Sequence, residues 1–118
     1  MFLKKLNKEI GYYCENLAIK YLKDIHYKVL ETNYSNHLGE IDIICFNKNL
    51  LIIVEVKGRY SYTFGMPLES VNAHKQKSIY KIASSYIQSK KLNNINVRFD
   101  VIEIYLNTDN SLFKLNHI

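Results

Sequence analysis

Between residues 5 and 25 the apolar positions Leu6, Ile10, Tyr13, Leu17 and Tyr21 recur at steps of four, three, four and four. That is the period at which one face of a helix returns to the same side, and it predicts a first helix. A second set on the same helix, Gly11, Glu15, Ala18 and Leu22, stacks alongside. Glu15 is therefore expected at the edge of the buried stripe, beside small residues that let another element come close.

From residue 27 the period changes. Residues 27–34 (YKVLETNY) combine strand-forming side chains with approximate alternation and read as a first strand. Residues 39–46 and 50–57 read as the second and third, joined by a tight hairpin at Lys48-Asn49, since Asn tolerates the positive φ such a turn needs. With that two-residue turn Asn47 faces Leu50, which sets Asp42 opposite Glu55 and Glu40 opposite Lys57. Opposite residues of an antiparallel pair share a sheet face. A three-residue turn would move Asp42 to the other face.

Residues 58–67 hold two glycines and the only proline and read as a loop. Asn72 is expected to cap a second helix over 73–90, on which Gln76, Tyr80, Ala83 and Ile87 form one stripe. Residues 96–106 alternate as a fourth strand, and 111–115 form a short fifth. The order α, β, β, β, α, β, β predicts one α/β domain over residues 1–118, a mixed sheet of about five strands with helices packed on it.

Composition narrows the class. The chain is 47% apolar and 23% charged, with four glycines and one proline in 118 residues, which suits one folded core and argues against disorder. No run approaches the roughly 20 apolar residues that span a bilayer, and the basic N-terminus lacks the apolar stretch of a signal peptide. A cytoplasmic protein with no membrane partner is expected. Cys14 and Cys45 show no metal-ligand or disulfide spacing and read as small buried side chains. Sixteen Lys and Arg against eleven Asp and Glu give a net charge of +5, which favours polyanions as partners, nucleic acid first.

Against this background the charges inside the second and third strands (GEIDIICFNKNLLIIVEVKGR) need a reason. Buried carboxylates are normally paired or coordinate a cation. An ion pair of Lys57 with Glu55 or Glu40 is one account. The other is a divalent cation: Asp42 and Glu55 offer hard oxygen ligands suited to Mg²⁺ or Mn²⁺, with Glu15 as a further oxygen. Lys57 would then orient or deprotonate an attacking water and offset charge on phosphorus.

Asp42 followed, after twelve intervening residues, by Glu55-Val56-Lys57 resembles the D…ExK signature of the PD-(D/E)XK nuclease superfamily, which includes restriction endonucleases and Holliday-junction resolvases. Gly11, Glu15 and Ala18, Asn33-Tyr34, Gly39-Glu40-Ile41-Asp42, Val54 to Lys57 with Arg59, Phe64-Gly65, Val71, Lys75-Gln76 and Arg98-Phe99-Asp100 together resemble the YraN family of small bacterial proteins. The resemblance implies a restriction-endonuclease-like core, with Asp42, Glu55, Lys57 and Gln76 as catalytic residues. It also implies Asp42, Glu55, Glu15 and the Val56 carbonyl as ligands of Mg²⁺ or Mn²⁺. Ser35 departs from the arginine that this family usually carries shortly after the Asn-Tyr pair, which puts a backbone-contacting role for that position in doubt.

Arg59 and Tyr60, with Lys75 and Lys77, are candidate nucleic-acid contacts, against the simpler reading of a solvated loop and helix side. The four histidines show no ligand spacing, and Asp100 reads as structural. A metal-dependent endonuclease acting on DNA, with branched or flapped DNA as candidate forms, is the leading expectation. A non-catalytic nucleic-acid-binding module and a ribonuclease are its rivals. Similar resolvases are dimeric, so a homodimer is expected by analogy.

Overall fold

A computed structural model of the chain describes residues 2–60, 73–92, 94–106 and 113–118, and among these the side chains of all but 2–8, 10, 59, 60, 73–76 and 113. The elements are α1 (Phe2–Asp24), β1 (Lys28–Asn36), β2 (Gly39–Asn47), β3 (Leu50–Tyr60), α2 (Ala73–Ser89), β4 (Asn96–Leu106) and β5 (Phe113–His117). This is the order that the hydrophobic pattern predicts. The strands form one sheet in sequence order. β3 and β4 run parallel and the other neighbours antiparallel, so α2 is the crossover that a parallel pair requires.

Alternation in β3 divides the core in two. Ile52 and Val54 pack with Cys14, Ala18 and Leu22 of α1 and with Ile43, Cys45, Ile102 and Ile104. Leu51 and Ile53 pack with Ile41 and Ile44 and with Ile79, Ile82, Ala83 and Tyr86 of α2. Successive residues of a strand face opposite sides, so the sheet carries one helix on each face. Each fully buried Leu, Ile or Val contributes about 1.5–3 kcal/mol, and this double core is what fixes the helices.

The helix faces differ from those expected. On α1 the buried line is Cys14, Ala18 and Leu22, while Tyr13 is 47% exposed. The narrower set lies against the sheet because β3 approaches closely there: a Cβ on Gly58 would stand 2.6 Å from the Cys14 sulfur. On α2 the buried residues are Ile79, Ile82, Ala83 and Tyr86, and Tyr80 is 71% exposed. Ile79 and Ile82 replace Tyr80 because the sheet takes the branched side chains and the Tyr86 ring. That ring stacks edge-on against Tyr34 at 5.1 Å and its hydroxyl donates to Glu31 Oε2 at 3.2 Å.

Ends and turns follow local chemistry. The hairpin turn is Lys48-Asn49, with φ of 49° and 62°, the mirror-image turn that matches strand twist. Both helices stop in the same way. Tyr27 N–H donates to Leu22 C=O and His26 N–H to Lys23 C=O, with His26 at φ 70°. Leu92, Ile87, Lys91 and Gln88 repeat the pattern, with Lys91 at φ 55°. These left-handed caps satisfy the last carbonyls without glycine. β3 runs to Tyr60 rather than ending in a loop at Gly58, because its ladder with β4 continues to the Tyr60 and Leu106 pair. β5 likewise reaches His117, beyond the expected residue 115. Asn72 and residues 61–67 of the expected loop lie outside the described residues.

Candidate functional site

The β2 and β3 ladder holds the expected register from Asn47 and Leu50 to Ile43 and Val54. There it stops, one step before Asp42 and Glu55. The reason is a change of phase in β2. Ile43 packs on the α1 side of the sheet and Ile41 on the α2 side, although residues two apart in a regular strand share a face. The chain turns over at Asp42. Its neighbour in β1 is Asn33, lying between the Thr32 and Ile43 pair and the Tyr34 and Ile41 pair, and Asn33 holds φ at 51°. Asn is one of the few side chains that enter this region readily.

The ladder bond that β2 would supply beyond this point is replaced by a side chain. Val56 N–H donates to Asp42 Oδ2 at 2.8 Å. Asp42 thus joins β3 at the middle residue of Glu55-Val56-Lys57 while the two backbones part.

An open cavity of about 380 Å³ occupies the gap. Gly11, Tyr12 and Glu15 of α1 line it together with Asn33, Glu40, Asp42 and Val56. Gly58 is part of its construction, since only a residue without a side chain lets Cys14, next to Glu15, sit against β3. The electrostatics are one-sided. Burial raises the Glu15 pKa first, and the nearby charges of Glu40 and Glu55 raise it further, against a hydrogen bond from the Asn33 side chain that lowers it. Like charges held together disfavour ionisation unless a cation joins them.

The structure thus gathers Glu15, Asp42 and Val56 at one cavity, with Glu55 close enough to be felt by Glu15. Glu55 is 6% exposed. Lys57 is half-buried and stands in register with Glu103 of β4. Glu103 is 1% exposed and accepts hydrogen bonds from the Tyr105 hydroxyl at 3.0 Å and Asn116 Nδ2 at 3.3 Å. Glu40 and Lys57 are not ladder partners: Glu40 pairs with Ser35 of β1 and lines the cavity beside Glu15. Arg59 and Tyr60 close β3, and Lys75 and Gln76 lie in the first turn of α2, where the crossover returns from the end of β3. The side chains of these four are outside the described set. Lys77 is exposed on α2.

As a metal centre the cavity has the right donor chemistry and an open form. Among the described residues, all its charged lining groups are carboxylates, the ligands that Mg²⁺ and Mn²⁺ prefer. Among the described residues no three acidic, His or Cys side chains are already drawn together round an ion position. Mg²⁺ does not require such a cage, because it keeps several waters and takes substrate phosphate beside one or two protein carboxylates.

Sequence reasoning missed Tyr12, gave Glu40 a part only as an ion-pair partner of Lys57, and gave Asn33 no role in the site. The signal for Asn33 was its residue type, and the helical period places Tyr12 beside Gly11 and Glu15. It also missed a polar cluster toward the C-terminal end of α1. Asp100, 3% exposed, accepts from Arg98 Nε at 2.7 Å and Nη2 at 2.9 Å and pairs with His117 Nε2 at 2.7 Å. Tyr21 hydroxyl meets His117 Nδ1 at 2.9 Å, and Arg98 Nη2 also donates to the Tyr27 hydroxyl at 3.1 Å. Cys14 and Cys45 are free and buried as expected. Burial pushes both thiols up, Cys45 to about 12 with Asp100 adding to it. No helix among the described residues is long and apolar enough to cross a membrane.

Comparison with known proteins gives a consistent match. The model of the uncharacterised protein family UPF0102 fits residues 14–104, a span holding Glu15, Asp42, Glu55 and Lys57. A UPF0102 protein of Clostridium botulinum strain Eklund 17B is 61% identical over 116 residues, covering 98% of this chain and 95% of its own. One from Clostridium beijerinckii is 60% identical, covering 98% and 94%. One from Caldanaerobacter subterraneus is 47% identical over 118 residues, covering 98% and 97%.

Proposed function

Taking as premise that the chain belongs to the uncharacterised protein family UPF0102, we propose that it is a Mg²⁺- or Mn²⁺-dependent nuclease that hydrolyses phosphodiester bonds in DNA. The observation that carries this reading is the interrupted ladder. Where β2 and β3 part, carboxylates of α1 and β2 meet at an open cavity, lined among the described residues by Glu15, Glu40 and Asp42 and by no cationic side chain. A fold gains nothing from raising the pKa of Glu15 with two further acids, but a cation site gains its ligands.

Asp42 and Glu55 would hold the metal, with Glu15 and the Val56 carbonyl as further oxygens and Glu40 beside them. When bound, a divalent ion polarises a phosphoryl oxygen and makes water more acidic. The remaining work falls to the chain. The Val56 N–H holds the Asp42 carboxylate at Oδ2, on the wall of the cavity that Asp42 lines. Lys57, two residues from Glu55 on the same strand, orients the attacking water and offsets the charge that develops on phosphorus. Gln76 is proposed to position that water from the start of α2. Arg59, Tyr60, Lys75 and Lys77 supply phosphate contacts at the end of β3 and along α2, and the net charge of +5 draws the polyanion in.

The test is incubation of the purified protein with labelled linear, flapped and four-way DNA, with and without Mn²⁺. Cleavage by the wild type, lost in Asp42→Asn and in Glu55→Gln, is expected. Equal behaviour of wild type and Asp42→Asn would remove the catalytic assignment. The net charge of +5 serves equally a second reading, a nucleic-acid-binding module without turnover. That reading requires salt-sensitive binding that survives Glu55→Gln and no cleavage with any metal. RNA cleaved in preference to DNA would turn the reading into a ribonuclease.

A further inference from the structure

Gly11 lies inside the 23-residue helix α1 and lines the acidic cavity. Glycine within a helix is destabilising relative to alanine, because it loses more backbone freedom on folding. A helix keeps one when a neighbouring element needs the space, as β3 does where it meets Cys14 at Gly58. At Gly11 no such neighbour exists: an added Cβ would meet nothing within 4 Å among the described residues. The expectation that small residues here admit another protein element therefore fails at this position. The space opens on the cavity instead.

The next residue is of a different kind. Tyr12 lines the same cavity and is 54% exposed. Among the described residues no hydrogen bond or ring contact occupies it. Its ring stands at the rim of a hole lined by Glu15, Glu40 and Asp42. One helix position without a side chain beside an exposed aromatic ring suits one nucleotide. Glycine lets a ligand's backbone come close to the helix, and the base stacks on a flat aromatic face.

We infer that Gly11 and Tyr12 seat a nucleotide whose base is unstacked from its neighbours, so that the preferred substrate is a single-stranded, flapped or branch-point segment rather than continuous duplex. The inference rests on the nuclease reading for its site and adds the substrate class. A base inside a continuous duplex has both faces covered by its neighbours and offers none to Tyr12. A strand whose bases are already apart reaches Gly11 and Tyr12 at the least unstacking cost.

The experiment measures binding and stacking with Ca²⁺ in place of Mg²⁺, using single-stranded, flapped and duplex oligonucleotides that carry 2-aminopurine. Wild type is expected to bind the single-stranded and flapped forms more tightly than duplex and to quench the reporter base. Tyr12→Phe should keep the quenching. Tyr12→Ala should lose it and weaken binding about tenfold. Gly11→Ala should leave the melting temperature unchanged or raise it, since the added methyl meets open space and alanine suits a helix, yet weaken binding by a similar factor. Wild-type affinity in both alanine variants, or no binding of any oligonucleotide by wild type, overturns the inference. The two readings separate cleanly. Quenching that depends on Tyr12 without Mn²⁺-dependent cleavage keeps the seat and removes the hydrolase. Cleavage undiminished in both alanine variants keeps the hydrolase and removes the seat.

Discussion

Two groups of charged residues face α1, and they are built on opposite plans. Toward its C-terminal end, the buried carboxylate of Asp100 is met by two nitrogens of Arg98 and by His117, with Tyr21 and Tyr27 closing the outer positions. Each imidazole nitrogen of His117 has one partner, Nε2 the Asp100 carboxylate and Nδ1 the Tyr21 hydroxyl. Toward the N-terminal half, Glu15, Glu40 and Asp42 share a cavity that no cationic side chain lines among the described residues. The first group completes itself within the chain. The second gathers acids round an open cavity, which is where the proposed cation would join them, and this difference, more than the presence of acids in strands, is what the metal proposal rests on.

Four measurements test the contrast. The largest effect is expected at the closed group. Asp100→Ala leaves Arg98 and His117 without their shared acceptor and should destabilise the fold by about 3 kcal/mol, read as a lower urea midpoint at constant slope. A change under about 1 kcal/mol would mean that the group is not structural. Next comes the open group: saturating Mn²⁺ at about 100 times its dissociation constant should stabilise the wild type by about 2.7 kcal/mol, and Asp42→Asn should abolish the rise in melting temperature. An equal rise in both proteins would place the ion elsewhere.

The seating of α1 gives an intermediate effect. Gly58→Ala puts a methyl group 2.6 Å from the Cys14 sulfur and should cost about 1–3 kcal/mol. Cys14→Ala in the same chain should recover part of it, and strict additivity of the two changes would deny the contact.

The smallest effect concerns pH. The Glu15 pKa is raised by burial and then by Glu40 and Glu55, so the folded state holds this proton more tightly than the unfolded chain does. The stability linked to Glu15 is full below the ordinary carboxylate pKa and is lost as pH rises through the raised value. Without metal, Glu15→Gln should flatten that fall and leave the protein slightly more stable at neutral pH. Chemical denaturation across the acidic range reads it, and an unchanged profile would remove Glu15 from the charged cluster.

How much of this was written in the sequence depends on the range of the interaction. The Lys48-Asn49 turn and the register it sets were legible, because turn chemistry and alternation act over a few residues. The limits of β4 were legible for the same reason. The buried faces of the helices were not. Tyr13 and Tyr80 fit a helical stripe as well as Cys14 and Ile79 do, and only the approach of the sheet decides between them. The end of the β2 and β3 ladder was hidden for a related reason. Alternation continues through Ile41, Asp42 and Ile43, while the reversal of phase comes from the paired distortion at Asn33 across the strand boundary. Asp42 and Glu55 were visible as candidates. The route by which Asp42 reaches the cavity, through the Val56 amide, was not.

The two thiols extend this picture beyond the site. Cys14 sits under the helix and Cys45 within the sheet, in one cluster and each no more than 1% exposed, so an alkylating reagent reaches neither until something opens. Lifting α1 from the sheet uncovers both at once, whereas release of β2 alone frees Cys45 and leaves Cys14 beneath its helix. The order in which the pair takes up label is therefore a natural clock for how this protein comes apart.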